Sequence, residues 1–449
     1  MKKLHSIIIL VVLVVTQTSF CGDTLKVIYQ KAIDAYESDD YEEAIVQFTK
    51  YLEVASSHDQ GYYMRGNAYY KLKEIDNAVN DYAKAYELGF KDAVMFFKMA
   101  EYYRSHSNIE SAFLFYVKTV ESDNQYTEAF IELGKISMTR QDYQSAMEYF
   151  QKALALDPTL PDIIYSLGDA AYNQKNYPVA LENYLTAIKL DSANYNFYYG
   201  AGMTYYETKD TESSLNSLIK SITIEPKFAL GYYGLGRIYD NISDKEKAIE
   251  NYTTAIYLSN SVLADSYIHQ KRGIVYLKKG EIDSAYNDFE KALKLNPNDT
   301  ISYLQRGKIF FLWGKDTAAI KDFSRVIFSD DKIAEAFTYR GVLLMKQLQD
   351  SLAELDERKA ISLDPNDTLA LFTLGNILME NDDYKNAVVF YERALKVNPK
   401  YGIVFENRGI SYYNLGYYRM AASDFEAAMK YNPQLTTKLR PLYQDAKSR

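Results

Sequence analysis

Small residues recur every 34 positions along almost the whole chain, and that period constrains the fold more than any other feature of the sequence. From Ala32, steps of 34 reach Gly66, Ala100, Gly134, Gly168, Gly202 and Gly236. One step of 37 reaches Gly273, and 34-residue steps resume through Gly307, Gly341, Gly375 and Gly409. A second small residue lies 12 positions after each of these twelve markers, from Ala44 and Ala78 to Ala387 and Ala421, with Ser214 in the sixth. A third often lies seven further on, as at Ala85, Ala153, Ala292 and Ala428. Proline frequently closes the period, as at Pro158, Pro226, Pro297, Pro365, Pro399 and Pro433. A fixed period of this length means one supersecondary unit used many times.

Each period holds two runs of apolar residues at helical spacing. A stretch such as Leu295-Asn296-Pro297-Asn298-Asp299-Thr300 stops one helix and caps the next with a polar side chain. The unit is therefore a helix–turn–helix, with small residues where the two backbones must approach. The aromatic residue three before the third small site, such as Tyr82 or Phe150, packs the second helix on its neighbours. One such hairpin cannot bury its own apolar face, so stacking is obligatory. The first repeat departs from the pattern with Ala32 for glycine, and the sixth with Ser214 and Ser221 for alanines.

These residues, from Leu25 to Leu435, resemble the tetratricopeptide repeat family in period, marker positions and closing proline. The resemblance implies an all-α fold: a right-handed superhelical solenoid of twelve 34-residue helix–turn–helix repeats. Repeats 1–7 would occupy 25–262, a short insertion 263–265, repeats 8–12 266–435, and a C-terminal cap or tail 436–449. The insertion, near Val262-Leu263-Ala264-Asp265, is expected to lengthen the second helix of repeat 7 or its loop, giving a mild seam rather than a domain boundary. In the tail, Leu439, Leu442 and Tyr443 are placed to cover the open end of the stack.

The N-terminus reads as an export signal over residues 1–21. Lys2 and Lys3 precede an unbroken apolar run of nine residues, Ile7 to Val15, and then polar Thr16-Gln17-Thr18-Ser19. The apolar run is too short to span a bilayer comfortably as a mature helix. Cys21, the one cysteine, is a lipidation candidate, which would make the chain a membrane-anchored lipoprotein, although Phe20 stands where the lipobox takes a small residue. Ordinary cleavage after Cys21 and an uncleaved anchor are the other two readings. All three place the bulk of the chain outside the cytoplasm: periplasmic, membrane-anchored or secreted.

Composition removes several classes of function. The net charge of −9, with lysines and glutamates interspersed along every helix, leaves no basic patch for nucleic acid. A single cysteine excludes an intrachain disulfide and a thiolate metal site. His5, His58, His106 and His269 are too scattered to pair on one helix face. No glycine-rich phosphate loop, HExxH or Gly-x-Ser-x-Gly motif occurs, and the repeats leave no room for a catalytic domain. The expectation is a non-enzyme without cofactor.

Two side-chain constellations stand out. In five repeats the residue before the marker is Arg and the residue fifteen after it is Asp: Arg65 and Asp81, Arg272 and Asp288, Arg306 and Asp322, Arg340 and Asp356, Arg408 and Asp424. In the other seven the Arg is absent and the second position is never Asp. The covariation predicts a structural ion pair between the two helices of those five repeats, and an apolar or amide contact elsewhere. The second constellation comes from the resemblance, which puts the first helices on a concave face, exposing positions three before, one after and four after the marker. These select Tyr63, Asn67, Tyr70, Phe97, Arg104, Tyr165, Tyr172, Tyr199, Tyr206, Tyr233 and Arg237 as groove-binding candidates, with Phe372, Asn376 and Tyr413 further along. Tyr offers large area, low entropy cost and a hydroxyl, which suits recognition. The same residues also suit packing between adjacent repeats. The lysine–asparagine clamp by which some family members hold an acidic tail is not implied, because no Lys stands three before any marker.

The expected function is an extracytoplasmic protein–protein interaction scaffold that binds segments of other proteins in the concave face. The alternative is a binding module for a glycan, which would need clustered exposed tyrosines with polar partners. Self-association through an uncapped end is a third reading.

Overall fold

The structure is a computed structural model and describes residues 24–449; the stretch read as an export signal and Cys21 lie outside the described residues. Every regular element described is helical, and no strand occurs among the described residues. The chain divides into two compact units, one ending at Ile224 and the other running from Glu225 to Arg449.

In the first unit the first helices of the repeats cover 24–37, Asp59–Lys71, Ala93–Ser105, Thr127–Thr139, Pro161–Asn173 and Tyr195–Glu207. Their second helices are Tyr41–Val54, Ile75–Glu87, Ile109–Ser122, Tyr143–Leu156, Tyr177–Leu190 and Thr211–Ile224. The second unit repeats the scheme. Its first helices are Ala229–Asn241, Val262–Lys279, Thr300–Leu312, Ala334–Lys346, Thr368–Glu380 and Gly402–Asn414. Its second helices are Lys245–Leu258, Ile282–Leu295, Asp316–Ser329, Asp350–Leu363, Tyr384–Val397 and Tyr418–Tyr431. Within each unit a second helix packs on its own first helix and on the first helix of the following repeat.

The markers work by steric exclusion. A Cβ on Gly66 would sit 2.8 Å from the Tyr82 ring, and one on Gly236 would sit 2.6 Å from the Tyr252 ring. The residue sixteen after the marker lies against that bare backbone. It is aromatic in ten repeats: Phe48, Tyr82, Tyr116, Phe150, Tyr184, Tyr252, Phe289, Phe323, Tyr391 and Phe425. These rings are almost wholly buried. Repeat 6 substitutes Leu218 and repeat 10 substitutes Glu357. The alanines twelve after the marker are fully buried throughout, and Ser214 takes that place by donating to Gly202 O at 2.7 Å. Ser221 likewise donates to Tyr195 O at 2.9 Å, so neither serine leaves a buried hydroxyl unpaired.

The turn inside each hairpin has one backbone solution. The residue seven after the marker is left-handed in every repeat, with glycine at Gly280, Gly314 and Gly416 and other residues elsewhere, including Lys73 (φ 64°) and Leu348 (φ 57°). Left-handed backbone ends the first helix and returns the chain antiparallel to it.

One expectation about organisation needs correction. The three extra residues near 263–265 lengthen neither the second helix of repeat 7 nor its loop: that helix ends at Leu258 with its usual 14 residues, and the next begins at Val262. They extend the first helix of repeat 8 to 18 residues against the usual 13. Hydrogen-bonded helix absorbs an insertion of about one turn without breaking the hairpin packing behind it. The boundary between compact units falls between repeats 6 and 7, at Ile224 and Glu225. At the C-terminus, a short turn Pro433–Leu435 leads into a helix, Thr436–Ser448, whose Leu439 is fully buried against the last hairpin.

Candidate functional site

The five arginine–aspartate positions meet as bidentate pairs. Arg65 Nε lies 2.7 Å from Asp81 Oδ2 and Nη2 lies 2.7 Å from Oδ1. The same two bonds, at 2.7 or 2.8 Å, join Arg272 to Asp288, Arg306 to Asp322, Arg340 to Asp356 and Arg408 to Asp424. All five aspartates are buried. Four of the arginines reach further, to the second helix of the preceding repeat: Arg65 Nη1 to Thr49, Arg272 to Thr253, Arg306 to Glu290 and Arg340 to Ser324. Each therefore ties three helices, which the sequence pattern did not reveal because the third partner varies between hydroxyl and carboxylate. Burial raises the pKa of Asp322 and Asp424 despite the guanidinium. At Asp288 burial acts the same way, but His269, 2.8 Å away, joins Arg272, and the two donors hold the carboxyl below its usual value. Elsewhere the apolar alternative holds in repeats 3 and 11, with buried Met99 and Leu374 before the marker. The amides Asn183 and Asn251 turn back to carbonyls of their own helices rather than bridging.

In the first unit, the rings three before the marker are packing staples. Tyr63 stacks on Phe90 with centroids 4.5 Å apart, and its hydroxyl donates to Asp92 at 3.3 Å. Phe97 stacks on Tyr126 at 4.8 Å, and Tyr165 packs between Tyr184 and Phe197 at 5.4 and 5.2 Å. Each touches the buried ring of its own repeat and the start of the next. In the second unit Tyr233 is buried between Tyr252 and Tyr267, and Phe372 packs on Tyr391 and Tyr401. In repeats 8 and 10, where the ring is missing, a polar side chain makes the same link: Gln270 donates to Asp299 at 2.6 Å and Thr338 donates to Asp367 at 2.6 Å.

The residue after the marker is not freely exposed either. Asn67 is buried, accepting from Tyr82 Oη at 2.8 Å and Lys98 Nζ at 2.9 Å. Asn376 accepts in the same way from Tyr391 and Asn407. Asp169 accepts from Tyr184 at 2.7 Å, and burial pushes its pKa up to about 6 although the tyrosine hydroxyls favour the anion. Burial also lowers the Lys98 pKa, with Asp92 opposing the shift.

The positions four after the marker remain accessible. Tyr70 is exposed, with Lys98 Nζ 4.4 Å from its ring centroid. Arg104 is exposed and bonds Glu101 at 2.7 Å, with Glu132 3.8 Å away. Tyr172 is half-buried beside Tyr177, and Tyr206 is half-buried, as is Tyr199 three before the same marker. In the second unit Arg237 is half-buried, and Tyr413 is held by Asp445 of the C-terminal helix. At this register the accessible group is a ring at Tyr70, Tyr172 and Tyr206 and an ion-paired charge at Arg104, while Met138, Leu277, Met345 and Met379 take the place in repeats 4, 8, 10 and 11.

Among the described residues, no group of three or more His, Cys, Asp or Glu is placed to hold a metal ion, and no helix is long and apolar enough to cross a membrane.

Sequence models described as tetratricopeptide repeat match residues 29–93 and 165–224, 229–261 and 404–435, and 266–299 and 368–401. A model described as TPR repeat matches 134–175. No curated protein is similar enough to this chain to match it. Similar solved structures include YrrB, described as a TPR protein with an unusual peptide-binding site, at 24% identity over 43% of this chain and 97% of that one, with a TM-score of 0.38. A tetratricopeptide repeat protein from Parabacteroides merdae is 22% identical over 56% of this chain and 98% of that one, with a TM-score of 0.40. MamA is 26% identical over 37% and 95%, with a TM-score of 0.33. Proteins of this repeat type generally mediate protein–protein interaction without catalysis. With the matches falling on the hairpins built around the markers and covering well over half of the sequence, the chain belongs to the tetratricopeptide repeat family.

Proposed function

We propose that the chain is an extracytoplasmic scaffold that holds an extended segment of a partner protein along the first-helix face of its repeats. The observation that carries this reading is the distribution of accessible groups. Tyr70, Arg104, Tyr172 and Tyr206 share one register position in repeats 2, 3, 5 and 6, interrupted by Met138 in repeat 4, with polar neighbours such as Lys98 and Glu101 beside them. A peptide in extended conformation gains from many such contacts, each small, spread along its length. A glycan site would need several open rings together, and here the rings three before the markers are engaged in packing. The export reading rests on the leader, and the lipid on Cys21 belongs to the same proposal.

Site-specific photocrosslinking in the native organism tests the face. A photoreactive residue replacing Tyr70 or Tyr172 is expected to yield a discrete protein adduct. The same residue at Leu114 or Leu355, exposed on second helices, is expected to yield none. Adducts confined to the second-helix positions would overturn the reading. Fractionation with and without Cys21→Ala tests the anchor: an anchored chain moves from the membrane to the soluble fraction.

A further inference from the structure

Repeat 10 breaks the rule that builds the stack. Where ten repeats press an aromatic ring and repeat 6 presses Leu218 against the marker backbone, repeat 10 places Glu357. The side chain is 0% exposed, and neither carboxyl oxygen has a hydrogen-bond partner. Its Oε1 lies 2.5 Å from where a Cβ on Gly341 would stand, so the carboxyl occupies the slot of the missing ring.

The charged groups on the surrounding elements give no counter-ion. On its own helix, Asp356 is taken by Arg340, Arg358 pairs with Glu354 and Lys359 with Asp331. On the first helix of repeat 10, Arg340 holds Asp356 and Ser324, Lys346 pairs with Asp316, and Glu335 pairs with Lys308. The first helix of repeat 11 carries no Lys or Arg, and its only charged residue, Glu380, is exposed. The cap of that helix is Asp367, which accepts from Thr338 and from two backbone N–H groups. The nearest charges, Asp367 and Asp356, are both negative.

We propose that Glu357 makes the joint between repeats 10 and 11 a pH-sensitive device: closed while the carboxyl carries its proton, loosened when the proton leaves. A buried carboxylate without donors is far costlier than a buried acid, so the ionised side chain must reach water, and only separation of the layer admits water. Burial first, then the two neighbouring aspartates, raises the pKa of Glu357 well above its ordinary value. The folded state thus holds the proton more tightly than the unfolded chain. Stability at this joint is full below the ordinary Glu value and declines as pH rises, until the folded value is passed. A partner segment lying across these two repeats would be bound more firmly in the closed state.

The test is amide hydrogen exchange on the full-length protein between pH 5 and 8.5, with rates divided by the intrinsic rate at each pH. In the wild type, protection over 350–363 and 368–380 is expected to fall by up to ~10-fold per pH unit within the window. Glu357→Gln, which cannot ionise, is expected to flatten that profile. Glu357→Phe restores the ring found at Phe323 and is expected to flatten it at higher protection. The equivalent helices of repeat 2, built on Tyr82, serve as reference. A wild-type profile as flat as the reference, or one shared by wild type and both variants, overturns the proposal.

Discussion

At the residue scale, the ion pairs show how one pattern in the sequence becomes one geometry. Arg65 and Asp81 are 17% and 8% exposed at the side chain, so the pair is largely withdrawn from water. Such a pair contributes little net stability against an apolar replacement, but removing one partner strands the other. Arg65→Met is expected to cost about 3 kcal/mol, because Asp81 stays buried without its donor. The double variant Arg65→Met, Asp81→Phe copies the Met99 and Phe115 of repeat 3 and is expected to recover most of that loss. Equilibrium denaturation of the two variants and Asp81→Phe as a double-mutant cycle reads the coupling. A double-variant cost equal to the sum of the two single costs would show that the charges act independently. This pairing was legible because both members covary. The groove tyrosines were legible only in part. Tyr63, Phe97 and Tyr165 stand at the expected register, but whether a ring faces solvent or a neighbour depends on the aromatic residue that opens the next repeat, here Phe90, Tyr126 and Phe197.

At the element scale, the helical hairpin and its period were legible because helix period, small residues and caps all agree. The left-handed turn was not, because Lys73, Ser107, Gln141 and Leu348 share no chemistry; the position is set by chain reversal. Leu348 is the least suited occupant, with φ 57° and 84% of its surface exposed. Left-handed backbone costs a branched residue about 1–2 kcal/mol, while glycine's extra unfolded-state freedom costs about 0.5–1 kcal/mol. The first term wins, so Leu348→Gly is expected to stabilise the protein by roughly 0.5–1 kcal/mol, visible as a raised denaturation midpoint. A lowered midpoint would mean that the Leu348 side chain makes a contact worth more than its strain. The insertion before repeat 8 illustrates the limit of spacing arguments: three added residues show where an element grows, not which one.

At the scale of the whole molecule, the residues that the sequence offers as a cap lie on the helix that follows the last hairpin. Leu439 of the C-terminal helix is fully buried, in one cluster with Phe425 and Ala428. Leu439→Ala is expected to cost about 2–5 kcal/mol locally and to raise hydrogen exchange in the last hairpin while leaving repeats 1–6 unchanged. Unchanged exchange in Tyr418–Tyr431 would show that the helix does not cap the stack. Glu357 was hidden at this scale for a different reason: one carboxylate among the charged residues of an acidic chain draws no notice until the column of rings around it is in view. The division of labour across the molecule is the central claim. Buried rings and ion pairs hold the hairpins together, and the accessible side chains four after the markers are the proposed binding groups. The direct measurement is calorimetric titration of the crosslinked partner's segment against the wild type and the triple variant Tyr70→Ala, Tyr172→Ala, Tyr206→Ala. The account predicts affinity at least ~100-fold weaker, about 2.7 kcal/mol, with the unfolding midpoint of the scaffold unchanged. Wild-type affinity in the triple variant would contradict it.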